Sequence, residues 1–238
     1  MYLLKVEEYI HKMKQKGKLI IIEGNDGSGK TTQLNLLVKY LKSKKIPTKT
    51  LAFPRYDDSF FGKFIAAYLR GEYGKLSDVN PYLITFPYAL DRAEVRSTIQ
   101  KWIDEGYYLV FGRYVPSNLA HQSGRLPKNQ RKKYVDWDME FEYKINKLPK
   151  EDKVIFLHVP YKTSLKLMEN PDKQNKNYLK GKKKDMVEKN LEYVKNSEMS
   201  YLDLAKRFSH WITIECVKNG ELRSIQEIHE DIKNALKI

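Results

Sequence analysis

The stretch KLIIIEGNDGSGKTTQLNLLVKYLKSKK, residues 18–45, reads as strand, turn and helix in direct succession. Lys18–Glu23 is a short, continuous apolar run, the pattern of a strand buried on both faces. A helical pattern runs from Thr31 to Lys45, and Pro47 ends it. Between them, residues 24–31 fit G-x-x-x-x-G-K-[ST] at every position. The three glycines of this turn let the backbone curl, so that successive N–H groups point inward at phosphate oxygens. The helix that follows adds the positive end of its dipole. Gly24, Asn25, Asp26, Gly27, Ser28, Gly29, Lys30, Thr31 and Thr32 are therefore the expected cradle for the phosphates of ATP. Lys30 supplies a point charge to the β and γ phosphates, and Thr31 a hydroxyl ligand for Mg²⁺.

Outward from this stretch, the patterns alternate. Strands are expected over 48–53, 107–111, 153–159 and 210–216. Helices are expected over 59–70, 80–105, 128–146, 185–208 and 224–237, with an amphipathic helix over 3–16 ahead of the first strand. Strands separated by helices of this length predict an α/β fold with a parallel sheet covered on both faces. No internal repeat or linker divides the 238 residues, so one domain is expected, with 1–17 as a helical extension. Residues 170–184, polar and lysine-rich with Pro171 and Gly181, suit a lid loop.

Bulk properties narrow the class. No apolar run approaches the roughly 20 residues of a membrane span. The N-terminus lacks the apolar block of a signal peptide, which makes the cytoplasm the expected compartment. The single cysteine, Cys216, excludes an internal disulfide and reads as a small buried residue in a strand. With 44 basic against 30 acidic residues, the net charge is +14, which favours polyanionic partners. The lysines are spread along the chain without a recognisable nucleic-acid module, so nucleotides are preferred to nucleic acid. A GTPase would carry Asn-Lys-x-Asp late in the chain, and a motor ATPase an apolar strand ending in Asp-Glu. Neither is present. Small-molecule phosphoryl transfer remains.

From Lys18 onward the sequence resembles the thymidylate kinase family. The resemblance rests on EGNDGSGKTTQ (23–33), FPRY (53–56), YALDRAE (88–94), GRYVPSNLAHQ (112–122), LPKEDKVIFLHVP (148–160) and KKDMVEKNLEYVK (183–195), in that order. It implies a three-layer P-loop kinase fold with a five-stranded parallel sheet, converting dTMP and MgATP to dTDP and ADP, in a homodimer. It assigns Arg55 of the FPRY block to the acceptor phosphate, with Tyr56 as the alternative, and places Phe53 among the substrate-binding residues. Tyr88 would stack on thymine and Arg92 bond its edge; four residues apart on a helix, they share a face. Arg113 would act on phosphate, Ser117 and Asn118 would read thymine with Gln122 beside them, and Asp26 would contact the sugar 3′-hydroxyl. His121 and His158 read as packing and structural residues, and Asp91 as orienting its neighbours.

Two departures stand out. The family reads Asp-Arg-Tyr or Asp-Arg-Phe where this chain has Gly112-Arg113-Tyr114, so a carboxylate near the metal is missing unless Glu23 or Asp91 replaces it. The family also places an arginine on the transferring phosphoryl group. Here the lid holds only lysines, which makes Lys180 and Lys182, with Lys183 and Lys184, the candidates. Two alternatives follow: a catalytically weakened nucleotide binder, or a kinase for another deoxynucleoside monophosphate.

Overall fold

A computed structural model describes residues 16–168, 177–181, 185–188 and 190–238. The helix expected over 3–16 and the larger part of the 170–184 lid lie outside the described residues. Five strands, β1 (Lys18–Glu23), β2 (Thr48–Ala52), β3 (Tyr108–Gly112), β4 (Lys153–His158) and β5 (Trp211–Glu215), form one parallel sheet in the order β2-β3-β1-β4-β5. All five match the expected strands to within one residue at either end.

The helices are α1 (Lys30–Ser43), α2 (Phe60–Leu69), α3 (Pro81–Ala93), α4 (Arg96–Asp104), α5 (Val115–Gly124), α6 (Lys128–Met139), α7 (Tyr161–Met168), α8 (Leu191–Arg207) and α9 (Ile225–Leu236). Alternation along the strands divides the core in two. Leu19, Ile21, Leu109, Phe111, Val154 and Phe156 point to one face, under α4, α5, α6 and α8. Ile20, Ile22, Val110, Ile155 and Leu157 point to the other, against Leu34, Leu37 and Leu41 of α1 and Ile228 and Ile232 of α9. Both faces are apolar because both are covered, which is why these strands read as unbroken hydrophobic runs.

The elements differ from expectation at three helix boundaries. The helix expected over 80–105 breaks at Glu94 and Val95, although no glycine or proline marks the spot. The carbonyl of Asp91, which would accept from Val95, instead accepts from Arg55 Nη2 at 3.0 Å. The helix expected over 128–146 is α-helical only to Met139 and continues as a π-turn over Glu140–Ile145. The helix expected from 185 begins at Leu191, capped by Asn190. Before it, Asp185 Oδ1 accepts from the N–H groups of Val187 (3.0 Å) and Glu188 (2.8 Å) and holds a turn. Two helices, α5 and α7, and a short hairpin (Val217–Lys218 with Glu221–Leu222) add to the expected set. Among the described residues no helix is long and apolar enough to cross a membrane. Cys216 is buried, and burial pushes its thiol up to about 12.

Candidate active site

The carboxyl ends of β1, β2 and β3 open into one cavity of about 1070 Å³. Open parallel sheets bind ligands at this end, where the strand order reverses direction around β1.

The glycine loop between β1 and α1 forms one wall. Gly24 has φ +146°, and a Cβ there would lie 2.7 Å from the carbonyl of Leu157, so β4 passes too close for a side chain. Gly27, at φ +79°, is close against α7: a Cβ added there would lie 3.0 Å from the carbonyl of Ser164. Ser164 Oγ donates to the carbonyl of Asp26. The Lys30 ammonium donates to the carbonyls of Gly24 (2.9 Å) and Asn25 (2.7 Å) and lies 3.6 Å from the Asp26 carboxylate. Asp26, Gly27, Gly29, Lys30, Thr31 and Thr32 line the cavity, and the threonines are exposed to it. Gly24, Asn25 and Ser28 lie behind that lining and are buried.

Opposite stands Arg113, immediately after β3. Its backbone is left-handed, φ +66°, a conformation few non-glycine residues adopt without support. Its guanidinium bonds Asp26 of the loop, and Nη1 reaches His121 Nε2 at 2.8 Å and Ser117 Oγ at 3.3 Å. Because a guanidinium only donates, His121 Nε2 accepts and Nδ1–H donates to Ser197 Oγ at 3.2 Å. Burial, reinforced by the charge of Arg113, lowers the His121 pKa to about 3, so the ring is neutral. His121 is thus a support for Arg113 within the cavity lining, and it also packs as expected, stacked on Tyr193 and edge-on to Tyr201.

Neither carboxylate considered as a replacement at position 112 reaches the cavity lining. Glu23 is fully buried and accepts from Tyr114 N (3.0 Å), Ser117 Oγ (2.8 Å) and Tyr201 OH (2.8 Å). Burial pushes its carboxyl up, against the opposing charge of Arg113. Its place is beneath the turn that carries Arg113. Asp91 accepts from Arg55 N (2.9 Å), Arg55 Nε (3.1 Å) and Ser59 Oγ (2.5 Å). It orients Arg55, as expected, and Glu94 completes the clamp.

Phe53, Arg55, Tyr56, Tyr88, Arg92, Arg113, Ser117, Asn118 and Gln122 all line the same cavity. Tyr56 stacks on Tyr178 with ring centroids 4.1 Å apart, and the Tyr178 hydroxyl donates to Asp185 at 2.9 Å. Both Arg55 and Tyr56 therefore face the space. Arg92 is buried and donates from Nε to Glu142 at 3.1 Å and from Nη2 to the other oxygen. Lys180 is exposed in the lid segment and does not line the cavity, while Lys182 lies outside the described residues. Residues that the motifs did not single out also contribute: Asp185, Glu188, Tyr178 and Tyr193 line the cavity. Asp185 and Glu188 sit in the quoted block KKDMVEKNLEYVK, where two acids at helical spacing were the available signal. Among the described residues no three His, Cys, Asp or Glu side chains cluster to hold a metal on their own.

A parallel sheet whose central strand feeds a phosphate loop, with one cavity between that loop and an arginine-lined wall, defines a P-loop kinase fold. The thymidylate kinase family model matches residues 22–232. Over 229 residues the chain is 32% identical to thymidylate kinase of Plasmodium falciparum, covering 94% of this chain and 92% of that one. It is 34% identical over 188 residues to thymidylate kinase of Mycobacterium tuberculosis, covering 79% and 85%. The solved thymidylate kinase of Candida albicans shares the fold, with TM-score 0.68 at 19% identity over 93% of this chain and 92% of that chain. The chain belongs to the thymidylate kinase family.

Proposed function

We propose that this protein transfers the γ-phosphate of ATP to dTMP, giving dTDP and ADP. The observation that carries the reading is the single cavity in which the phosphate loop faces Arg55 and Arg113 on one wall and Tyr88, Arg92 and Asn118 deeper in. ATP phosphates lie along the loop, where Lys30 leaves its own backbone carbonyls for the β and γ oxygens. Arg55, preset by Asp91 and Glu94, holds the acceptor phosphate, and Tyr88 packs on the base. Arg113 reaches both halves of the cavity and is the group best placed to follow charge on the phosphoryl group in flight. The acceptor oxygen is already ionised at neutral pH, so the reaction asks for alignment and charge compensation more than for a base. Asp26, beside Arg113, is the acid suited to the sugar 3′-hydroxyl. Lys180 and Lys182 are the lid cations proposed to meet charge on the phosphoryl group; Lys180, exposed and outside the cavity lining, would have to approach the nucleotide to do so.

Mg²⁺ fits this donor set. The exposed hydroxyl of Thr31 and the Asp26 carboxylate stand beside the phosphate path, and this ion is commonly held by one or two protein oxygens, substrate phosphates and water. When bound it neutralises charge on the phosphate oxygens. We further propose a homodimer: Phe60 (74% exposed), Phe64 and Tyr73, stacked 4.7 Å apart, and Leu83 (67% exposed) expose apolar surface on α2, α3 and the connection between them. Such surface on a monomer marks an interaction site, and a second copy of this chain is the occupant.

ADP release measured with ATP and a panel of nucleoside monophosphates tests the reaction. Turnover should be strongest with dTMP, and Lys30→Ala should lower kcat by about 10²-fold or more. Strong turnover with another monophosphate and none with dTMP would overturn the assignment.

A further inference from the structure

Asn118 and Gln122 lie one helical turn apart on α5, and both line the cavity. Each carboxamide has one end tied to a charged partner that can play only one part. Asn118 Nδ2 donates to Glu142 Oε1 at 3.1 Å, and a carboxylate only accepts. Gln122 Oε1 accepts from Arg125 Nη1 at 2.9 Å, and a guanidinium only donates. Turning either amide over would set donor against donor or acceptor against acceptor in a buried place, which is costly. The ends opposite those partners are the oxygen of Asn118 and the amino group of Gln122. Glu142 also takes Nε and Nη2 of Arg92, so that Nη1 is the arm of Arg92 outside the pair.

Glu142 and Arg125 are themselves absent from the cavity lining. Glu142 is fully buried, in the π-turn after α6, and Arg125 is pinned by the carbonyls of Leu76 (2.6 Å) and Val79. Both are therefore fixed before any ligand arrives. Asp138, one turn before Glu142, is also fully buried, and burial with the neighbouring Glu142 charge holds its carboxyl well above the usual range.

We propose that Glu142 and Arg125 are positioning residues that fix the polarity of the two amides and thereby select an imide base edge. The polar set offered to the cavity is donor (Arg92), acceptor (Asn118), donor (Gln122). Its complement is carbonyl, N–H, carbonyl: the O4, N3–H and O2 edge shared by thymine and uracil. Cytosine presents an amino group and a bare ring nitrogen at the first two places and meets like with like. The inference rests on the reading above that the acceptor base lies between Tyr88 and α5, and it adds why an amide, which could be turned either way, is not ambiguous here.

The test compares kcat/KM for dTMP and dCMP in four proteins: wild type, Glu142→Gln, Asn118→Asp, and the double variant. Glutamine at position 142 can donate as well as accept and frees Asn118 to turn, so the dTMP preference should fall by about tenfold or more, through KM for dTMP. Asn118→Asp alone sets two carboxylates together and should weaken dTMP. In the double variant the introduced glutamine donates to the introduced carboxylate, whose other oxygen again faces the base, and the preference should recover. A merely structural role for Glu142 predicts no recovery, and an unchanged ratio in folded Glu142→Gln overturns the proposal. Folding is checked by thermal stabilisation with MgATP. If the variants do not fold, the Asn118 side-chain amide protons of the wild type decide by NMR. They should be slow to exchange without ligand and little shifted by dTMP, and a large shift or turnover of the amide overturns the proposal. A wild type that phosphorylates no imide monophosphate overturns the underlying reading and this inference with it; a wild type active on dTMP separates the two.

Discussion

Gly112 faces the cavity at the end of β3 without an unusual backbone angle, so its lack of a side chain is not required by the turn. A Cβ added there would lie 3.3 Å from Leu34 Cδ1 and 3.9 Å from Ala52 Cβ, a fit that a small movement of one leucine methyl permits. Gly112→Asp should therefore fold. With Glu23 buried beneath the turn and Asp91 engaged on Arg55, it would add a carboxylate where the cavity lining has none from those two. Turnover at saturating MgATP should rise by about tenfold, with KM for dTMP little changed. Equal or lower kcat in the folded variant would remove position 112 from the account of rate. At this scale the sequence was informative where chemistry is set by local spacing, as for Lys30 and Thr31. It was silent on Glu142 and Arg125, whose meaning depends on amides and a guanidinium that the fold brings to them. Glu142 reaches Arg92 across 50 positions, and one acid within WDMEFEY carries no mark that it will do so.

Among the elements, the junction of β4, β5, α7 and α8 is held by one imidazole. His158 Nδ1 lies 2.7 Å from Glu215 and Nε2 3.0 Å from Glu198, whose other oxygen accepts from Tyr161 N at the start of α7. The bond to Glu198 leads in raising the His158 pKa above 6.5, and Glu215 adds to it, against burial. A raised value in the folded state means that the brace is fully present below pH 6.5 and is lost as pH climbs through the folded value. Compared with His158→Gln, the wild type should melt about 2–4 °C higher in the acidic range, and the gap should close on going alkaline. A gap that is constant with pH, in thermal melts from about pH 5.5 to 9, would reduce His158 to packing. The periodicity located most elements well, because apolar runs and capping residues are written locally; Ser224 and Glu227 form the box that starts α9. The break after α3 was hidden, since a distant arginine takes the carbonyl that would have continued the helix.

For the whole molecule, alternating strand and helix patterns sufficed to specify a parallel sheet, while the order of its strands came from the structure. The apolar face of α2 and α3 bears on assembly. Light scattering should give twice the chain mass for the wild type, and Phe60→Glu with Leu83→Glu should halve it without loss of the folded core. A monomeric wild type would refute the dimer. A last consequence follows from the position of β1 in the middle of the sheet. It pairs with β3 and with β4, and Leu19 N donates to Asp152 across 133 positions. The glycine loop that follows is moulded by Leu157 and Ser164, and Gln33 behind it donates to the carbonyl of Ile225. A nascent chain emerging from the ribosome thus carries the phosphate motif early and its mould late. Ribosome-held chains that stop short of α7 would display every residue of the motif and still retain no nucleotide, so ATP capture reports that synthesis has passed α7.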